Sequence, residues 1–163
     1  ESGGFKVYEI ADGNGAWMQV CPDAHNYYVS EVNKKHGGKV KPLIRFIKAW
    51  KYYRNVPIQS FYLEMRVAKY AYGEQCIRYD EDVMRVLAML RDNELAPMRD
   101  PMGMSGYIYS CKTDVLKRDA LSKLNIAATR SEKAREAESN GDTKMAFDWW
   151  RLLYNDKFPT YYL

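Results

Sequence analysis

The stretch from Lys41 to Tyr72 constrains the fold most, because its apolar residues recur at helical spacing. The first apolar stripe, which starts one residue earlier, consists of Val40, Leu43, Ile44, Ile47 and Trp50. Asn55-Val56-Pro57 interrupts the pattern, and Pro57 suits the first turn of a helix that runs to about Gly73. We therefore predict two amphipathic helices joined by a tight turn.

Helical patterns also dominate the rest of the chain after residue 21. The further predicted helices run from Pro22 to His36, from Asp80 or Glu81 onward, from Thr113 as N-cap to about 139, and from Asp142 or Thr143 onward. A loop over 96–104 and a short extended segment over 107–109 separate the middle helices. The sequence thus predicts a mainly α protein with five or six helices.

Residues 5–20 are the exception, because they alternate as in a β-hairpin with a turn at 12–15. A lone hairpin is marginally stable, so this one is expected to add to a larger sheet. Gly37-Gly38 separates it from most of the helices. We predict a core remnant over 1–38, formed by the hairpin and a connecting helix, and a helical domain over 39–163.

Composition excludes several classes of protein. Hydrophobic residues make up 47% of the 163 residues and charged residues 28%, which is typical of a globular domain with a real core. Cys21, Cys76 and Cys111 lie far apart without a CxxC pair, and His25 and His36 lack helical ligand spacing, so no metal site is predicted. No run of about 18 apolar residues occurs, so no membrane helix is expected, and the thiols fit a cytoplasmic protein.

A basic ladder lies beside the first apolar stripe. Lys41, Arg45 and Lys48 follow one another at helical spacing and share a face. Such a face suits the several negative charges of a triphosphate, and the net charge of +4 is compatible with a polyanionic ligand. On spacing alone, a solvated helix face is the more common explanation.

The start of the second helix carries Ser60 and Phe61, with Glu64 one turn later. A hydroxyl and free backbone N–H groups at a helix start suit an anion, and an aromatic ring beside them can stack on a base. Alternatively, Ser60 only occupies the first turn and Phe61 belongs to the core. Glu64 can bond to Ser60 or pair with a cation such as Lys48.

Complete catalytic motifs are absent from the sequence. It contains no G-x-x-x-x-G-K-[ST], no GxGxxG, no G-x-S-x-G and no Asp-x-Asp on a predicted strand. The acidic run Asp80-Glu81-Asp82 is most simply a helix N-terminus. No catalytic residue is therefore nominated, and the chain is expected to be part of an enzyme.

The chain is similar to the second half of bacterial nucleotidyltransferases related to cyclic GMP-AMP synthase and 2′-5′-oligoadenylate synthase, the cyclic-oligonucleotide synthases of anti-phage signalling. The motifs that carry this resemblance are Ile10-Ala11-Asp12-Gly13, Trp17, Cys21-Pro22-Asp23, His25, Asn33, the run from Ile44 to Trp50, the run from Ser60 to Glu64, the run from Trp150 to Tyr154, and Phe158-Pro159. Each motif is modest alone, but their order and spacing together are fairly specific.

The resemblance implies a helical bundle of the poly(A) polymerase and oligoadenylate synthase type, which closes one side of a nucleotide cleft. It implies that Lys48 and Ser60 contact the triphosphate, that Phe61 stacks on the base, and that Arg45 and Glu64 support the cleft. It also implies nucleoside triphosphate substrates and Mg²⁺ held by carboxylates upstream of Glu1, so this chain alone is expected to be inactive. Nucleic acid is not required, and there is room for a protein regulator.

Two alternatives remain open. One is a half of a linear polymerase of the oligoadenylate or poly(A) type. The other is a non-catalytic helical module that binds RNA or a protein partner.

Overall fold

The computed structural model describes residues 6–11 and 17–158. In this part of the chain six helices follow a first hairpin, with a second hairpin between the fourth and fifth helices. The helices are α1 (Pro22–Lys35), α2 (Val40–Tyr53), α3 (Ser60–Tyr72), α4 (Tyr79–Asp92), α5 (Asp114–Ser139) and α6 (Thr143–Leu153). The strands are β1 (Tyr8–Ala11), β2 (Trp17–Val20), β3 (Met98–Arg99) and β4 (Tyr107–Ile108). The prediction of a mainly α protein is confirmed, while the type of helical bundle stays a prediction.

One hydrophobic core joins the helices, because each turns an apolar stripe inward. The stripe of α2 predicted from the sequence is buried, with Leu43 and Ile47 fully enclosed. Helices α3 and α4 contribute further apolar residues, and the long helix α5 contributes small ones such as Ala128 and Ala134. Small side chains let α5 approach α4 and α6 closely, and these two helices are its main neighbours.

Local signals in the sequence set most helix ends. Thr113 and Asp142 cap α5 and α6 as predicted, each accepting a backbone N–H from the third residue after it. Gly37 and Gly38 have φ of +62° and +85°, a left-handed backbone that ends α1. The side chain of Asn33 then accepts the N–H groups of the first two residues of α2, at 3.0 Å each.

Two local predictions were wrong. Helix α3 starts at Ser60, so Pro57 lies in the connection before it; Gln59 is extended and its N–H donates to Ser110 O at 2.7 Å. The predicted loop over 96–104 contains β3, which pairs antiparallel with β4. In both places backbone pairing with a segment beyond the local pattern overrides the local signal, across 51 residues for Gln59 and within a short hairpin for β3.

The first hairpin forms within the segment in which the sequence predicts it. Strands β1 and β2 pair antiparallel, with Tyr8 opposite Val20 and Ala11 opposite Trp17. The predicted turn at 12–15 lies outside the described residues, as do residues 159–163. Phe158, the last described residue, stacks on Tyr154 with ring centroids 5.9 Å apart.

Helix α1 is fastened to the end of α3. His36 donates from Nε2 to Ala71 O at 2.6 Å, and Lys35 donates to Tyr72 O at 2.7 Å. The domain boundary near residue 38 stays a prediction.

Candidate functional site

The paired helices α2 and α3 bring two of the predicted site residues into contact. Lys48 on α2 donates from Nζ to Oε1 of Glu64 on α3 at 2.6 Å. The two side chains are 39% and 33% exposed, so the ion pair is open to solvent on one side. Of the two partners predicted for Glu64, the structure shows the cation.

Ser60 lies one helical turn before Glu64, as the first residue of α3. The N-cap position is taken by Gln59, whose side chain makes no capping bond. The first N–H groups of α3 therefore have no intrahelical acceptor and carry the partial positive charge of a helix start. Ser60 is half-buried and belongs to the same first turn as these groups.

Phe61 lies between the surface and the core. Its ring is half-buried and packs edge-to-face against His25, with centroids 4.7 Å apart and an interplanar angle of 68°. Part of the ring stays accessible to a ligand, while His25 fixes its position. The predicted alternative, in which Phe61 belongs to the core, therefore holds for only one side of the ring.

His25 is itself held by a carboxylate that the sequence analysis did not single out. The buried His25 ring donates from Nε2 to Oδ2 of Asp100 at 2.7 Å, while its Nδ1 has no partner within the described residues. Asp100 follows β3, so this contact ties the second hairpin to α1 and, through His25, to Phe61. The local signal was Asp100-Pro101-Met102-Gly103, in which an Asp before a Pro and a Gly marks a turn.

The Asp100 carboxylate also organises its own loop. It accepts N–H groups of Met102, Met104 and Ser105 at 2.8 to 3.0 Å. Burial pushes the pKa of Asp100 upward, but the hydrogen bonds from His25 and from these backbone groups outweigh it and lower the pKa below its ordinary value. Asp100 is therefore a charged side chain whose hydrogen bonds hold both its own loop and His25 in place.

Arg45 and Lys41, the other members of the basic ladder, are exposed. Neither makes an ion pair with a described carboxylate, so the structure leaves Arg45 pointing to solvent on the face that it shares with Lys48. The supporting role predicted for Arg45 stays a prediction.

The acidic run at the start of α4 has the structural role predicted for it. Asp80 pairs with Arg135 at 2.5 Å, Glu81 pairs with Arg85, and Asp82 accepts the Tyr70 hydroxyl and the Arg78 N–H. Burial, and then the bond to Asp82, raise the pKa of Tyr70. Across residues 6–11 and 17–158, no group of three or more His, Cys, Asp or Glu residues is arranged to hold a metal ion.

The arrangement therefore offers binding groups rather than a catalytic set. A cation, a hydroxyl, free N–H groups and an aromatic ring lie at the start of α3 and on the adjacent face of α2. Such a set can bind a phosphate chain and an attached ring. Among the helices described, none is both long and apolar enough to cross a membrane.

Comparison with known proteins supports the resemblance that the sequence motifs indicate. No protein-family model matches the chain. It is 29% identical to a probable cyclic nucleotide synthase of Bacillus cereus (strain VD146), and 27% identical to a cyclic AMP-AMP-AMP synthase of Acinetobacter sp. (strain ATCC 27244 / 9458). Each match covers 97% of this chain and 48% of the relative, so the chain spans about half the length of these curated relatives. The resemblance indicated by the motifs is thus confirmed: along nearly all of its length, this chain is similar to bacterial cyclic nucleotide synthases.

Proposed function

We propose that this chain is the nucleotide-closing, C-terminal portion of a nucleotidyltransferase that makes a cyclic di- or oligonucleotide from nucleoside triphosphates. The observation that carries the proposal is the contact between Lys48 and Glu64 one turn from Ser60. It is supported by the similarity to proteins named as cyclic nucleotide synthases.

In the proposed mechanism Lys48 exchanges Glu64 for a phosphate oxygen. A half-exposed ion pair contributes only about 0–1 kcal/mol, so a multiply charged triphosphate competes for the ammonium group readily. Until the ligand arrives, Glu64 holds the Lys48 ammonium group beside α3.

Ser60 and the first N–H groups of α3 bind the same phosphate chain in this proposal. The helix start favours negative charge, and Ser60 adds a hydroxyl donor at the surface. Phe61 stacks on the base, a contact of roughly 1–3 kcal/mol. Because His25 packs against the Phe61 ring, little side-chain entropy is lost when the base binds.

The chemistry itself is assigned to residues outside this chain. The described residues do not fit a Mg²⁺ site, because no cluster of three suitable ligands exists among them. We therefore derive no catalytic step from this chain and propose that it binds nucleotide weakly and does not catalyse alone. Its contribution is to orient base and triphosphate.

The test is steady-state kinetics of the intact synthase with Lys48→Ala and Ser60→Ala. Loss of a charge-assisted hydrogen bond from Lys48 should raise KM for the triphosphate by about tenfold or more, and Ser60→Ala should raise it by less. Lys69→Ala is the matched control, since Lys69 lies on the exposed side of α3 and should leave KM unchanged.

Unchanged kinetics in both variants would refute the triphosphate role of these two residues. Analysis of the products by mass spectrometry completes the test. A cyclic product supports the proposed synthase, a linear product replaces it with the polymerase alternative, and an intact protein that makes neither product leaves a helical binding module.

A further inference from the structure

A cavity lies on the side of α2 that faces away from Lys48. It occupies about 220 Å³ between α2, α5 and α6 and is lined by three cations, Arg54, Lys123 and Arg130, above an apolar floor that includes Trp50 and Leu153. Trp50 follows Lys48 by two residues, which places them about 200° apart around the helix. The cavity is therefore separate from the proposed nucleotide site.

The two arginines are held in place without a carboxylate. Both donate to Leu152 O near the end of α6, Arg130 at 3.2 Å. Among the described residues neither arginine has a carboxylate within 4.0 Å, whereas Lys123 is bonded to Asp119 and to Asn55 O. Each guanidinium carries five N–H donors, so one bond to a carbonyl leaves most of them available.

Two observations show that positive charge is under-compensated there. Nε of Arg54 is buried and has no hydrogen-bond partner within the described residues. Burial, and then the charge of Arg54, lower the pKa of Arg130 below its ordinary value. A bound anion would relieve the repulsion between the two cations.

We propose that the cavity between α2, α5 and α6 is an oxyanion site that binds phosphate, or a phosphate group on a larger molecule, through Arg54, Arg130 and Lys123. The planar guanidinium fork matches phosphate oxygens in a bidentate way. The volume equals that of several water molecules at about 30 Å³ each, enough for a phosphate with a small attached group.

The test is calorimetric titration of the protein with inorganic phosphate at constant ionic strength, with sodium chloride as the reference anion. Arg130→Gln should weaken phosphate binding about tenfold, because it removes charge-assisted hydrogen bonds. Arg118→Gln is the matched control, since Arg118 is an exposed arginine on the same helix and the change in net charge is the same. It should leave the affinity within about twofold.

Lys123→Gln is a second variant in case Arg130→Gln unfolds the chain, and it should weaken binding by less than Arg130→Gln. A second arm uses a short single-stranded oligonucleotide as the source of phosphate. If the protein binds phosphate and Arg130→Gln weakens this binding, the result supports a site for free phosphate or small phosphate esters. Binding of the oligonucleotide alone, weakened in the same way, assigns the site to a polynucleotide backbone. No binding of either, or equal binding by Arg118→Gln and Arg130→Gln, overturns the proposal.

Discussion

The helices α1 to α6, here called the helical body, and the first hairpin differ in how far they bury their apolar side chains. In the body, Leu87 on α4 is 0% exposed and lies in a continuous core. In the hairpin, Trp17 is 72% exposed, and Tyr8 and Ile10 on the opposite strand are also exposed. The same kind of side chain is therefore buried by the helices and left at the surface by the hairpin.

The difference shows which part of the chain buries its apolar surface within the chain itself. Helices can bury a stripe against each other within this chain, whereas two strands cover neither face of their own sheet. We expect the exposed side chains of Tyr8, Ile10 and Trp17 to be covered by further sheet in the intact protein, as the similarity to longer synthases would allow.

Leu87→Ala should give the largest effect. Removing a fully buried leucine leaves a cavity, so we expect the free energy of unfolding to fall by about 2–5 kcal/mol in urea denaturation. Leu152→Ala on α6 is the matched control, because Leu152 is 42% exposed and should cost far less. Equal losses at both positions would mean that the helical body is not packed as described.

Asp100→Asn tests the junction that joins the second hairpin to α1 and Phe61. The substitution keeps the shape but removes the charge that accepts bonds from His25 and three backbone N–H groups. We expect a loss of about 1–3 kcal/mol in the free energy of unfolding at pH 7.

The pH dependence of that loss identifies its cause. Since the folded pKa of Asp100 lies below its ordinary value of 3.8, the unfolded state binds more protons as the pH falls. The stabilisation is therefore complete above about pH 4 and disappears as the pH falls through the folded pKa. The difference between wild type and Asp100→Asn should shrink in acid, while the half-exposed control Asp148→Asn should show little difference at any pH. A loss that persists in acid would point to altered packing instead.

Trp17→Ala should give the smallest effect. Because the side chain is mostly exposed in this chain, we expect the free energy of unfolding of the chain by itself to change by no more than about 0.5 kcal/mol. A loss comparable to that of Leu87→Ala would show that the hairpin packs on the helices, and the contrast between the two regions would disappear.

Much of the fold could be predicted because it depends on short-range patterns. The apolar stripe of α2, the caps Thr113 and Asp142, and the end of α1 at Gly37 each reflect residues within about one or two turns of one another. The start of α3 was misplaced because Gln59 bonds to Ser110, which lies 51 residues away, and no local pattern reports that contact.

The candidate site divides in the same way. The sequence by itself determined that Lys48, Ser60, Phe61 and Glu64 lie on two neighbouring amphipathic helices, because helical spacing and a short connection place them there. It left the partner of Glu64 open, and only the packing of α2 on α3 selected Lys48. The tertiary structure alone decided that Asp100 holds His25 against Phe61, and that Arg54 and Arg130 converge on Leu152 O. The physical reason is distance along the chain: each of these contacts joins separate elements, and their geometry follows from how the helices pack rather than from the residues beside them.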